Sequence, residues 1–146
     1  MANPLITITE LQVLSPEDHQ AYCELLPQLS SHVKVPTEQA LAEVLRLPHI
    51  HVLIAKTDRI VGALTLVINQ LSTGINVRIE DVVVDKAARG QGLGKKLMSA
   101  AIEKATAAGA TAINLTSHPS RVAANQLYRS LGFQPRETNV YRYTIT

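Results

Sequence analysis

The stretch Val82-Val83-Val84-Asp85-Lys86-Ala87-Ala88-Arg89-Gly90-Gln91-Gly92-Leu93-Gly94-Lys95-Lys96 decides how this chain is read. Its valines predict a strand and the residues from Gly92 onward a helix, so the glycines fall on a strand-to-helix turn. Three glycines in five positions leave little side chain between the backbone N–H groups and a ligand. The helix that follows adds its own unpaired N–H groups and the positive end of its dipole. Arg89 and the pair Lys95 and Lys96 put cationic side chains beside the turn. The pattern is an anion cradle, and a phosphorylated ligand suits it.

Spacing separates the known cradles. The triphosphate loop G-x-x-x-x-G-K-[ST] fails at both ends, because Arg89 stands where its first glycine belongs and Lys96 follows Lys95. The dinucleotide fingerprint G-x-G-x-x-G needs a third glycine where Lys95 or Leu97 stands. The pattern [QR]-x-x-G-x-[GA] is satisfied by Arg89, Gly92 and Gly94, and it resembles the acetyl-CoA pyrophosphate loop of the GNAT N-acetyltransferase superfamily. A second motif agrees. Arg121-x-x-Ala124-Asn125-x-Leu127-Tyr128-x-x-x-Gly132-Phe133 resembles that family's late helix, and the segment Ile79-Glu80-Asp81-Val82-Val83-Val84-Asp85 is similar to the glucosamine-6-phosphate N-acetyltransferase branch.

The rest of the chain sets bounds. Its 146 residues, 46% hydrophobic and 18% charged, predict a single soluble domain over 1–146. A net charge of +2 with one local basic cluster argues against nucleic acid as partner. No apolar run is long enough to span a membrane, and Met1-Ala2-Asn3-Pro4 lacks the basic and apolar regions of a leader, so a cytoplasmic location is expected. The single Cys23 allows no internal disulfide, and no Cys/His group has metal-ligand spacing, so no metal is expected. His49 and His51 read as solvated histidines rather than a zinc pair.

Periodicity predicts a strand over Leu5 to Val13, a helix from Ser15-Pro16 to Leu26 and a helix from Pro36-Thr37-Glu38 to Leu45. A hairpin of Ile50 to Ala55 and Ile60 to Ile68 follows, then a strand over Val77 to Val84. Beyond the glycines come a helix ended by Gly109, a short strand over Ala110 to Thr116 and a helix over Val122 to Leu131. Phe133 to Arg136 and Val140 to Ile145 read as closing strands. The fold class is α/β in the α+β sense: a mixed, mainly antiparallel central sheet flanked by helices, with a strand–helix–strand crossover. The resemblance implies the GNAT acyl-CoA N-acyltransferase fold, with a splayed parallel strand pair.

The resemblance also implies roles. Acetyl-CoA would be the cosubstrate, held by Val82, Val83, Val84, Arg89, Gly90, Gln91, Gly92, Leu93, Gly94, Lys95, Asn125 and Tyr128. A backbone N–H near Val82 would hold the developing oxyanion. Tyr128 would protonate the departing sulfur, while Arg121 stands where other members carry asparagine. Glu80 is the leading base, or a ligand for the acceptor's ammonium group. Asp81 is second, because alternation turns it to the other face unless a bulge intervenes. Arg142 is a candidate phosphate ligand, within a monomer or across a homodimer. The segment Leu115-Thr116-Ser117-His118-Pro119 lacks the acidic residue of the amino-sugar branch. The acceptor is therefore read as a small primary amine. A catalytically idle acyl-CoA-binding domain and a protein N-terminal or lysine acetyltransferase are the alternatives.

Overall fold

The structure, a computed structural model, describes residues 5–146; Met1-Ala2-Asn3-Pro4, read above for a leader, lie outside the described residues. The described residues form two compact units, the first ending at Thr116 and the second spanning Ser117–Thr146.

In the first unit, four strands pair in the order β1 (Thr7–Glu10), β2 (Ile50–Lys56), β3 (Ile60–Leu71) and β4 (Gly74–Val84), each antiparallel to its neighbour. The first strand is shorter than the Leu5 to Val13 expected, since alternation continues past the point where residues still find ladder partners. Helix α1 (Pro16–Leu25) starts where Ser15 accepts from the Asp18 N–H at 3.1 Å, and α2 (Glu38–Leu45) where Thr37 accepts from Ala40 N–H at 3.1 Å. Helix α3 (Leu93–Ala107) follows β4.

The period-two pattern divides the sheet between these helices. Val52, Ile54, Ile60, Ala63 and Val83 join Ala21, Tyr22, Leu25 and Leu41 in the core under α1 and α2. Helix α3 packs against β2, β3 and β4 with Leu93, Leu97, Met98, Ala101 and Ala105 buried. A Cβ on Gly62 would sit 3.2 Å from Leu97 Cδ1, so glycine there lets α3 seat closely on the sheet. Burying a side chain such as Leu97 contributes about 1.5–3 kcal/mol. That anchor fixes the helix whose first turn carries the glycines.

The expected strand over Ala110 to Thr116 is reduced to one parallel bridge, Asn114 to Arg78. Asn114 donates to Val77 O and its carbonyl accepts from Ile79 N–H, each at 3.0 Å. This pairing makes β4, α3 and Asn114 a parallel crossover, and so gives the sheet its mixed character. Thr111, Ala112 and Thr116 are exposed, so the segment has too little buried surface to hold a longer ladder. The edge of β4 beyond Ile79 has no strand beside it among the described residues.

The expected closing strands are absent: no strand is found over Phe133 to Arg136 or Val140 to Ile145. Tyr141, Tyr143 and Ile145 alternate, but each is more than four-fifths exposed. Alternation describes a strand's faces; it does not supply the partner that a ladder requires. No described helix is long and apolar enough to cross a membrane.

His49 is exposed, but His51 is half-buried and paired rather than freely solvated. Its Nδ1 lies 2.6 Å from Glu10 Oε1, and Lys104 Nζ lies 3.2 Å from Glu10 Oε2, joining β1, β2 and α3. Burial, the largest single influence on the Glu10 carboxyl, would raise its pKa, but hydrogen bonds and charge from His51 and Lys104 together bring it below the ordinary value. A depressed carboxylate stabilises the fold above its unfolded pKa, and that stability is lost as pH falls through its folded pKa. Glu10→Gln is expected to cost about 1 kcal/mol at neutral pH, since solvent still reaches the network. Urea unfolding at neutral pH and again in acid, where the difference from wild type should shrink, checks this.

Candidate active site

The loop after β4 is built by backbone and side-chain bonds that leave one face open. Asp85 Oδ1 accepts from Ala87 N–H at 3.2 Å and caps a single 3-10 turn over Lys86–Ala88. Arg89 folds back so that its Nε–H donates to the Val84 carbonyl at 3.2 Å, tying the strand end to the loop. Gly90 and Gly92 then adopt φ of +83° and +74°, the left-handed region that L side chains rarely enter. A Cβ at either glycine would meet nothing within 4 Å, so the backbone conformation demands glycine and the space above the turn is free.

Gly92 is the N-cap of α3, its carbonyl accepts from Lys96 N–H at 3.1 Å, and no side chain caps the helix. The first-turn N–H groups therefore have no intrahelical partners, and the dipole's positive end adds to their pull on an anion. Gln91, Lys95 and Lys96 are exposed around this turn. The arrangement fits a pyrophosphate. Leu93 and Val83 are core side chains, 2% and 5% exposed, so only their backbones could serve a ligand.

A bulge shapes the strand before the loop. Thr65 faces Glu80 and Ala63 faces Val83, so Leu64 alone opposes the two residues Asp81 and Val82. Asp81 takes φ +53°, a conformation that aspartate tolerates better than most residues. Simple alternation, which would turn Asp81 away from Glu80, is therefore broken. The Asp81 residue is exposed as a whole, yet protein atoms crowd its carboxyl. Desolvation first, and the neighbouring Glu80 charge second, push its pKa above the ordinary aspartate value. Glu80 is half-exposed and accepts from Arg78 Nε at 3.0 Å.

Tyr22 of α1 belongs to this same region. It is 6% exposed, and burial, the main influence, raises the pKa of its phenol; hydrogen bonding with Thr65 opposes that rise and the Asp81 charge reinforces it. The first unit thus brings together Glu80, Asp81, the valines and the glycine turn, and adds Tyr22, Thr65 and Arg78.

The remaining expected residues belong to the second unit. Helix α4 (Val122–Ser130) is followed by Gly132 at φ +98°, and Phe133 N–H donates to Tyr128 O at 3.0 Å. Tyr128 is buried with its ring centroid 6.1 Å from that of Phe133. Desolvation raises its pKa and the Arg121 charge partly offsets this, so the phenol holds its proton at neutral pH. Asn125 Nδ2 donates to His118 O at 3.0 Å, which leaves its carbonyl oxygen to accept from a ligand. The Ser117 hydroxyl is buried with no hydrogen-bond partner among the described residues. Arg142 lies on the exposed tail.

The sequence profile of the acetyltransferase (GNAT) family matches residues 15–133. This chain belongs to the GNAT acetyltransferase family. No curated protein sequence matches it significantly. A Trypanosoma brucei acetyltransferase is 27% identical to this GNAT chain, with a TM-score of 0.78 over 95% of this chain and 99% of that one. An aminoglycoside acetyltransferase from an uncultured soil metagenomic sample is 23% identical, with a TM-score of 0.79 over 97% and 96%. The glucosamine-6-phosphate N-acetyltransferase of Arabidopsis thaliana is 21% identical, with a TM-score of 0.80 over 95% and 98%. The last two likenesses concern the fold alone.

Within this GNAT domain, sequence reasoning missed four polar residues. Arg78 carried a readable signal, since residues two apart on a strand share a face and Arg78 precedes Glu80 by two. Tyr22 and Thr65 carried none, because only the packing of α1 on the sheet brings them to the bulge. Nor does anything in the sequence around Ser117 announce an orphaned hydroxyl.

Proposed function

We propose that this protein transfers the acetyl group of acetyl-CoA to the primary amine of a small molecule by direct attack on the thioester. The observation that carries this reading is the uncapped glycine turn of α3 lying directly after a strand whose bulge presents two carboxylates. Gly90, Gln91, Gly92, Leu93, Gly94 and Lys95 would hold the pyrophosphate through backbone N–H groups and charge. The edge of β4 beyond Ile79, with no strand beside it among the described residues, is where an extended ligand would lie as an added strand.

The chemistry then distributes as follows. An alkylamine has a pKa of about 10, so at neutral pH it arrives as an ammonium ion and must lose a proton before it can attack. Asp81 takes that proton, directly or through water, because its raised pKa makes it a stronger base than an ordinary carboxylate. Glu80, held by Arg78, adds negative charge that draws the ammonium in. In this reading the amine nitrogen bonds to the thioester carbon, the C–S bond breaks, the phenol of Tyr128 gives its proton to the sulfur, and the second proton that the nitrogen sheds as the amide forms restores the phenol through solvent. Asn125 would bind the CoA arm with its free carbonyl oxygen. The names of the two amino-sugar acetyltransferases of similar fold favour an amino sugar among small amines.

Thiol release from acetyl-CoA against glucosamine 6-phosphate, aminoglycosides, polyamines, amino acids and short peptides tests the reading. Turnover with one class of small amine is expected. Tyr128→Phe should lower kcat only about tenfold, since a thiol of pKa near 8.5 leaves tolerably as the thiolate. Acetyl-CoA binding without turnover on any amine would replace the reading with a binding domain.

A further inference from the structure

The loop between β4 and α3 is held mostly by itself. Asp85 Oδ1 and Asp85 O accept from the Ala87 and Ala88 N–H groups at 3.2 and 2.9 Å, and Lys86 O accepts from Arg89 N–H at 3.4 Å. Bonds of that kind shape the turn but travel with it. The strand end is fixed to the sheet by Asp85 N–H, which donates to Val61 O at 2.9 Å, and the far end by the buried Leu93. Between those ends Lys86 opens the 3-10 turn, so its N–H has no partner inside that turn. Gln28 supplies one: its Oε1 accepts from Lys86 N–H at 3.0 Å. Among the described residues, no other side chain from outside residues 85–92 bonds the backbone of this loop.

Gln28 stands on a firm base. It ends a single 3-10 turn, Leu26–Gln28, that continues α1, and Leu25 and Leu26 are 1% and 6% exposed in the core beneath. Leu29 N–H donates to Leu26 O at 3.0 Å and closes that turn. One anchored turn is thus pinned to another by a side-chain oxygen, just ahead of the left-handed Gly90.

We infer that Gln28 is a positioning residue for the cofactor, its side-chain oxygen holding the Lys86 N–H so that the glycine turn meets an incoming pyrophosphate already set. This rests on the acetyltransferase reading above. Gly90 and Gly92 have more backbone conformations open to them than other residues, so a turn built on them loses more freedom when it closes on an anion. Fixing the residues just ahead of them removes part of that loss before the ligand arrives. Gln28 touches no ligand in doing so; it acts through the backbone of the loop.

Titration calorimetry with CoA on wild type, Gln28→Met, Lys86→Pro and the double variant tests the inference, with thermal melts alongside. Gln28→Met keeps the length of the side chain and removes the oxygen. Its Kd for CoA should rise about fivefold, the ordinary worth of one neutral hydrogen bond. Acceptor KM, and kcat at saturating acetyl-CoA, should stay near wild type, and the melting temperature should fall by no more than about 4 °C. Lys86→Pro removes the same bond from the donor's side. Asp85 has ψ +136°, the extended conformation that a following proline requires, and the first position of a helical turn accepts proline. In the Lys86→Pro background, Gln28→Met should change Kd less than about twofold, because the bond is already gone.

A wild-type Kd for CoA in Gln28→Met overturns the inference while leaving the acetyltransferase reading intact; a lowered melting temperature beside it would mark a purely structural glutamine. An equal rise in Kd in both backgrounds overturns it too, since the oxygen would then act elsewhere than on Lys86. Should Lys86→Pro fold poorly, Gln28→Glu takes its place, because it keeps an acceptor oxygen. At high salt, where its charge is screened, a Kd near wild type is expected, and a Kd like that of Gln28→Met overturns the inference. Absence of CoA binding by wild type overturns the acetyltransferase reading, and this inference with it.

Discussion

Gly92→Val is expected to weaken acetyl-CoA binding about a hundredfold, equivalent to about 2.7 kcal/mol. Gly92 holds φ +74° and ψ +18° at the head of α3. A β-branched residue is among the worst suited to that region, and forcing it there costs on the order of 1–3 kcal/mol. The chain can lower that cost by turning the peptide away, which also turns the N–H groups away from the anion. The space above Gly92 is open, so the new Cβ meets no protein atom within 4 Å. It occupies the room that a phosphate would need instead. Gly92→Asn should fall between, because asparagine tolerates the left-handed region. Titration calorimetry with CoA, alongside thermal melts, reads both effects. A variant that melts lower yet binds CoA as wild type would show that the turn is structural and that the ligand lies elsewhere.

What the residues revealed in advance follows from which interactions are local. The glycine turn was legible because its demands are met within a few positions: Gly90 and Gly92 for φ, an apolar strand before, an uncapped helix after. Helix starts at Ser15 and Thr37 were legible for the same reason, each cap bonding an N–H three residues on. The element order of the first unit followed from such signals. The short segment around Asn114 and the tail from Phe133 were not legible, because a strand exists only where another chain segment completes its ladder. The same limit governs the bulge. Nothing in Glu80-Asp81-Val82 states that Leu64 will face two residues, since register is a property of both strands. The order of preference between the two carboxylates accordingly rested on an alternation that β4 does not keep at that point.

That break in alternation sets the second large effect. Asp81→Asn is expected to lower kcat/KM for the amine by at least about a hundredfold, the ordinary contribution of a general base. Asparagine accepts φ +53° as readily as aspartate and keeps its shape, so the loss would report proton transfer and charge. The same substitution should stabilise the fold. Desolvation and Glu80 raise the Asp81 pKa in the folded state, so folded protein binds this proton more tightly than unfolded protein does. Below the unfolded pKa both states are protonated and the residue is neutral to stability. As pH rises from the unfolded to the folded pKa, stability falls, and the deficit persists at every higher pH. Removing the charge removes the deficit, so Asp81→Asn should melt above wild type at neutral pH and converge with it in acid. Glu80→Gln offers the contrast, since its carboxylate is held by Arg78 and its loss leaves that guanidinium without its partner. It should raise acceptor KM more than it lowers kcat. Activity lost together with stability in Asp81→Asn would mean that the bulge needs the carboxylate for its own shape. Activity lost with stability gained would identify a charge kept at a structural cost for the chemistry of the amine.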